Sequence, residues 1–185
     1  MKLQNTPQKF GTVAIALHWV IAILIVSQII LASNAEAAPM GFTKFVLLSK
    51  HKTWGILVLF MALFRLGWKL FNPTPAYPDT MSAFETRAAK ASHFLFYALI
   101  IAIPTVGWSI AGAADISINF FDLFVVPNFI APNKGLVDPL KLAHKFLIMS
   151  LMALLVVHVA AALWHHFKLK DNVLSRMLPL IKSRS

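Results

Sequence analysis

Four stretches of this chain are apolar for long enough to cross a membrane, at about 13–33, 51–71, 93–114 and 143–167, and polar or proline-bearing segments separate them. A bilayer core roughly 30 Å thick takes about 20 residues of helix, so each stretch reads as one transmembrane helix. The first ends near Ala35-Glu36-Ala37, a small-residue motif of the kind that closes a cleaved leader. Its apolar run is of spanning length, and the chain is read as keeping it. The segment Asn72-Pro73-Thr74-Pro75-Ala76-Tyr77-Pro78 cannot continue a helix and predicts a stiff link. Residues 82–90 read as a short amphipathic helix leading into the third span, where Pro104 and Gly107 predict a kink or close helix packing. The connection 115–139 carries Pro127, Pro132, Pro139 and several phenylalanines, and reads as an interfacial segment or a loop.

Composition agrees with a single integral membrane domain: 58% of the 185 residues are hydrophobic and the mean hydropathy is +0.72. Lys and Arg number 17 against 7 Asp and Glu, a formal charge of +10. These bases sit at the ends of apolar spans, where they anchor helices, and no basic-aromatic groove points to nucleic acid. Four spans bring both termini to one side. That side holds Lys2, Lys9, Arg65, Lys69, Arg87, Lys90, Lys168, Lys170, Arg176, Lys182 and Arg184, against Lys44, Lys50, Lys52, Lys134, Lys141 and Lys145 on the other. The positive-inside rule then places both termini of this multi-pass chain in the cytoplasm. With no cysteine there can be no disulfide, iron–sulfur cluster or covalent haem linkage, so any iron must be held by histidine or methionine.

The candidate chemistry lies in the histidines, because an ionisable side chain at membrane depth is costly unless something binds it. His144 and His158 are 14 residues apart. That is four helical turns less about 40°, so the two rings share a face roughly 21 Å apart along the axis. His165 continues the stripe. His18 lies nine residues inside Lys9, and His158 lies ten before Lys168, which sets them at one depth on different helices. His51 and His144 stand at the opposite ends of their helices and form a second level. Two histidines per level from facing helices is the donor set of two six-coordinate b haems. Zinc wants three or four ligands, and no Asp, Glu or Cys falls inside a span. Each ring could also simply hydrogen-bond a carbonyl of a neighbouring helix.

His93, His165 and His166 lie within three residues of Lys90 or Lys168, in a shallow group at the cytoplasmic end. They are candidates for hydrogen-bonding a quinone, relaying a proton to it or contacting haem propionates; the plain alternative is an interfacial cluster that snorkels. Several motifs together resemble the bacterial cytochrome b561 family over essentially the whole chain. They are Ala16-Leu17-His18-Trp19, His51 before a span ending in Arg65, the Asn72-Pro73-Thr74-Pro75 link, and His93 with Pro104-Thr105-Val106-Gly107. The run from His158 to Trp164-His165-His166, followed by Lys170-Asp171-Asn172 and Arg176-Met177-Leu178-Pro179, is most similar to the family's superoxide-oxidising members. The resemblance implies haem ligation by His18 with His158 and by His51 with His144, and a quinone site at the cytoplasmic end. It also implies an inner-membrane oxidoreductase that takes electrons from superoxide and reduces ubiquinone.

Superoxide is an anion, and Lys44, Lys50, Lys52, Lys141 and Lys145 offer a positive outer surface that would raise its encounter rate. Equally, these lysines terminate helices, and Glu36, Asp115, Asp122 and Asp138 offset most of their charge. The expectation is therefore an all-α integral membrane protein, an antiparallel four-helix bundle with two b haems, in contact with lipid and quinone. No side chain is needed as nucleophile or base, since redox occurs at haem. The alternatives are a quinol-oxidising cytochrome b feeding a periplasmic redox partner, a haem-free module that binds a partner protein, and a histidine-lined metal transporter.

Overall fold

In a computed structural model of the chain, which describes residues 2–78 and 80–178, four long helices pack in sequence. They are α1 (Thr12–Ala37), α2 (Phe42–Phe71), α3 (Ala83–Ala113) and α4 (Lys134–Trp164), and each is long and apolar enough to cross a membrane. α1 packs on α2, α2 on α3 and α3 on α4, whereas α4 does not pack closely on α1. The basic tail positions Lys182 and Arg184, with Pro179, lie outside the described residues.

The helices outrun the apolar spans. α1 continues through Ala35-Glu36-Ala37, with Ala35 buried, and α2 begins well before His51. The turn between them passes through Gly41 at φ 154°, a backbone region that side-chain-bearing residues rarely adopt. Residues 82–90 are the first turns of α3 and not a separate helix. Ser82 starts it with a reciprocal cap: its hydroxyl accepts from the Glu85 N–H at 3.2 Å while the Glu85 carboxylate accepts from the Ser82 N–H at 2.7 Å. Pro104 sits inside this helix, and Thr105 donates its hydroxyl to the Ile101 carbonyl at 2.7 Å beside it. α4 begins at Lys134 and takes Pro139 into an early turn.

The connection expected as an interfacial segment or loop instead contains a β-hairpin, β1 (Ile118–Phe120) with β2 (Phe124–Val126), paired Ile118 to Val126 and Phe120 to Phe124. Its turn holds Phe121 at φ 51° and Asp122 at φ 59°, and the Leu123 N–H closes on the Phe120 carbonyl at 3.0 Å. Two successive left-handed residues match the right-handed twist of paired strands. Asp favours that turn and Phe does not, which is why the sequence hid it. Ile118 and Val126 bury against Ile56 of α2 and Ala111 of α3, and the Thr53 hydroxyl donates to the Asn119 carbonyl at 2.7 Å. The hairpin thus caps one end of the bundle.

The other end gathers the segments nearest the two termini. The Asn5 side chain donates to the Pro73 carbonyl at 3.0 Å, the Ala76 N–H to Pro7 at 2.9 Å, and the Arg176 guanidinium to the Ala76 carbonyl. A small core of Ala62, Ile100 and Leu151 fills the middle, while Ile23, Phe64, Phe94 and Val156 stay exposed, as the lipid-facing side of a spanning helix does.

Candidate cofactor site

On three helices the positions that serve two depths of the bundle are 14 residues apart: His51 and Arg65 on α2, His93 and Gly107 on α3, His144 and His158 on α4. That spacing returns to nearly the same helix face about 21 Å further on. On α1, His18 and Gln28 serve the same levels from positions roughly 15 Å apart.

At the level nearer the termini, the His18 and His158 ring centroids are 6.3 Å apart with their planes at 51°. An iron held between two imidazoles at a metal–nitrogen distance of about 2 Å puts the ring centroids roughly 6 Å apart, so this pair fits a bis-histidine haem. His93, read from sequence as shallow and grouped with His165, stands instead beside His158 with centroids 6.2 Å apart. Its position 14 residues before Gly107 carries the signal for that depth; nearness to Lys90 misled. Among the described residues no three His, Asp, Glu or Cys side chains come together to hold a metal ion. Phe96 packs edge-on against His158 at 5.0 Å and Trp19 against His18 at 5.3 Å. The Trp19 indole N–H also donates to the Met177 carbonyl at 2.7 Å, tying this level to the C-terminal segment.

Arg65, read from sequence as a helix-end anchor, lies with Nη1 3.2 Å from His18 Nδ1, and its Nε donates to the Tyr97 hydroxyl at 3.3 Å. Arginine can only donate, so a hydrogen bond to His18 needs a bare Nδ1; beside a ring that ligates through Nε2 and carries its proton on Nδ1, the guanidinium acts as a neighbouring cation. Lys69 stands 4.7 Å above the Tyr97 ring.

At the hairpin end, His51 and His144 lie close enough to interact electrostatically. A Cβ at Gly107 would stand 3.2 Å from His144 Cε1, so glycine is what admits that ring against α3. His144 Nδ1 is buried without a hydrogen bond. His51 is held by Gln28: with its amide turned to satisfy both ends, the NH2 donates to His51 Nδ1 at 2.7 Å and to the His51 carbonyl at 3.1 Å, and the oxygen accepts from the Gly55 N–H at 3.2 Å.

After Trp164 the helix widens into a π-helical turn, His165–Leu169, and Lys170 at φ 56° folds the chain back. The turn widens only after His165, whose N–H still donates to the Ala161 carbonyl, so this ring stays on the α-helical stripe. The widened turn brings His165 Nδ1 to 2.6 Å from the Asp171 carboxylate, both side chains nearly buried, and Asp171 also accepts from the Val173 N–H at 3.0 Å. His166 packs against Phe167 at 4.8 Å. Of the proposed steering lysines, Lys44 donates to the Ala38 carbonyl at 3.3 Å and Lys141 pairs with Asp138 at 3.3 Å, both at the hairpin end. Lys50 and Lys145 are exposed and Lys52 is half-buried. The residues sequence reasoning did not bring into the site are Arg65, Tyr97, Gln28 and Asp171. The 14-residue spacing from His51 could have found the first.

Imidazoles paired at two levels of a four-helix bundle whose helices can span a membrane, with no thiolate or carboxylate beside them among the described residues, are a donor set that suits a membrane b-type cytochrome. The comparisons agree: residues 9–180 match the profile of prokaryotic cytochrome b561. The chain belongs to that family of membrane electron-transfer proteins, and membership implies b-type haem. It is 32% identical over 181 residues to cytochrome b561 homolog 2 of Escherichia coli (strain K12), covering 96% of this chain and 95% of that one. It is 31% identical over 175 residues to a protein of Yersinia pestis named "Probable superoxide oxidase CybB", covering 93% and 97%. Cytochrome b561 homolog 1 of Escherichia coli (strain K12) is 27% identical over 172 residues, 92% of this chain and 97% of that one.

Proposed function

We propose that this chain sits in the bacterial inner membrane with both termini in the cytoplasm, oxidising periplasmic superoxide to oxygen and reducing ubiquinone. Two b haems define the path, one held by His18 and His158 and one by His51 and His144. The observation that carries the reading is the 6.3 Å pairing of His18 with His158 at a separate depth from His51 and His144. Two superoxide anions each give up one electron and leave as oxygen; ubiquinone takes both electrons with two protons and leaves as the quinol. Haem, when bound, supplies the one-electron iron chemistry.

The rest falls to the chain. The four histidines hold and orient the cofactors, and the hairpin packed on Thr53 and Ile56 covers that end of the bundle. At the cytoplasmic end, Asp171 fixes His165 through Nδ1, leaving Nε2 to hold a proton for a quinone oxygen. His166 is a further quinone contact at that end, and His93 is one only for a quinone that reaches in beside His158. Lys44, Lys50, Lys52, Lys141 and Lys145 form the outer surface toward which an anion is drawn, an attraction that salt screens. The 31% identity to the Yersinia protein supports superoxide as donor.

The test is a reduced-minus-oxidised spectrum of the purified protein, titrated with superoxide in the presence of ubiquinone. Two b haems per chain, reduced by superoxide at a salt-sensitive rate and reoxidised by ubiquinone, are expected. Haems inert to superoxide yet reduced by quinol would transfer the function to the opposite direction, with a soluble periplasmic acceptor.

A further inference from the structure

We propose that Gln28 is a positioning residue for His51, fixing through its side-chain amide which ring nitrogen faces iron and how strongly that nitrogen donates. This rests on the assignment of His51 as a haem ligand made above. A primary amide in the middle of an apolar helix is costly unless every end is bonded. All three Gln28 contacts fall on one turn of α2, at His51 Nδ1 (2.7 Å), the His51 carbonyl (3.1 Å) and the Gly55 N–H (3.2 Å).

With Nδ1 engaged, Nε2 is the nitrogen left for iron. A neutral imidazole bound through Nε2 carries its proton on Nδ1, so beside a ligating ring the amide turns its oxygen to that proton at 2.7 Å and gives up its bonds to the His51 carbonyl and the Gly55 N–H. Partners of this kind orient a ligating histidine and set its basicity. No side chain holds His144 Nδ1 in this way among the described residues. His51 is then the ring at this level whose orientation and donor strength a side-chain amide sets.

The test compares Gln28→Met and Gln28→Glu with the parent protein, loaded with haem, by redox titration of both centres and by the low-spin electron paramagnetic resonance signals. Met, of similar length and apolar, removes the acceptor: the outer midpoint rises and its signal broadens as the ring loses a fixed orientation. Glu, a stronger acceptor, lowers the outer midpoint, shifting electron partition between the centres by about tenfold, about 59 mV for a one-electron couple. The inner centre stays unmoved in both. An outer centre with unchanged midpoint and signal in both variants overturns the proposal while leaving the haem assignment standing. His51→Ala is the control: loss of one haem of two upholds the ligand assignment, and retention of both overturns that assignment and this inference with it.

Discussion

The two histidine levels are built from the same four helices, yet their surroundings are of opposite kinds. Around His18 and His158 stand a guanidinium, two aromatic rings and a third imidazole, with Arg65 Nη1 3.2 Å from His18. Around His51 and His144 stand a neutral amide, two glycines and the underside of a hairpin. A fixed cation beside a candidate ligand stabilises an added electron, and more strongly in a low-dielectric interior than in water. A neutral amide gives no such pull. The contrast puts a cation in direct contact with a candidate ligand at the end where the termini lie, the end toward which the proposed reaction sends electrons.

The largest break in this comparison is expected from His158→Ala, since His158 is the ring that both His18 and His93 face. Haem content should fall from two per chain to one, and quinone reduction by at least about a hundredfold, beyond the 10–100-fold cost of losing only a ligand's supporting contact. A haemochrome assay reads the first and a quinone-reduction rate the second. His18→Ala and His93→Ala sharpen the result, because both rings sit near 6 Å from His158. Loss of haem in His18→Ala with retention in His93→Ala assigns the pair; the reverse pattern makes His93 the ligand.

Next in size is Arg65→Leu. Removing the cation should lower the midpoint of the inner centre and shift electron partition by about tenfold, about 59 mV for one electron, with the outer centre unmoved. Redox titration of both centres tests it, and an inner midpoint that stays put would remove the charge argument for direction. Paired with Gln28→Glu, which acts on the outer centre, it moves each end independently.

Four spans and the depth of four histidines were legible because both rest on long-range regularities: hydrophobic length for the helices, and distance to flanking bases for the rings. Those two cues failed where they were asked for more than they hold. Nearness to Lys90 made His93 look shallow, because the cue assumes that a helix starts at the membrane surface, whereas α3 begins at Ala83 with its own cap. Arg65 looked like an anchor for the same reason, although the chain continues as helix to Phe71. The hairpin was hidden by strands only three residues long and by a turn residue, Phe121, whose left-handed backbone its side chain does not advertise. Asp171 was out of reach because it meets His165 through a π-helical turn, and no periodicity predicts where a helix will widen.

Gly107→Ala tests the glycine side of the contrast at a smaller scale. The added methyl would stand 3.2 Å from His144 Cε1, so the ring must give by a few tenths of an ångström. Overpacking of this kind costs about 1 to 3 kcal/mol, enough to weaken haem retention at the outer level about tenfold while the inner haem stays bound. Haem content after dialysis, with the two bands resolved by redox titration, checks it.

The smallest effect belongs to Asp171→Asn, which leaves the shape of the end where the termini lie intact and removes only charge. A hydrogen bond to a charged partner is worth about 1.5 to 3 kcal/mol against 0.5 to 1.5 for a neutral one, so the His165 contact loses about 1 kcal/mol. Each 1.4 kcal/mol is a factor of ten, which makes the expected loss in quinone reduction about fivefold. Both haem spectra and the rate of haem reduction by superoxide should stay as they were, because neither level of the bundle touches Asp171. His165→Gln should cost as much or more, and the double variant little beyond it, since Asp171 acts only through the ring it holds at 2.6 Å. Additive losses would mean instead that Asp171 serves the backbone at Val173 on its own account, and would leave the proton for the quinone to another group at that end.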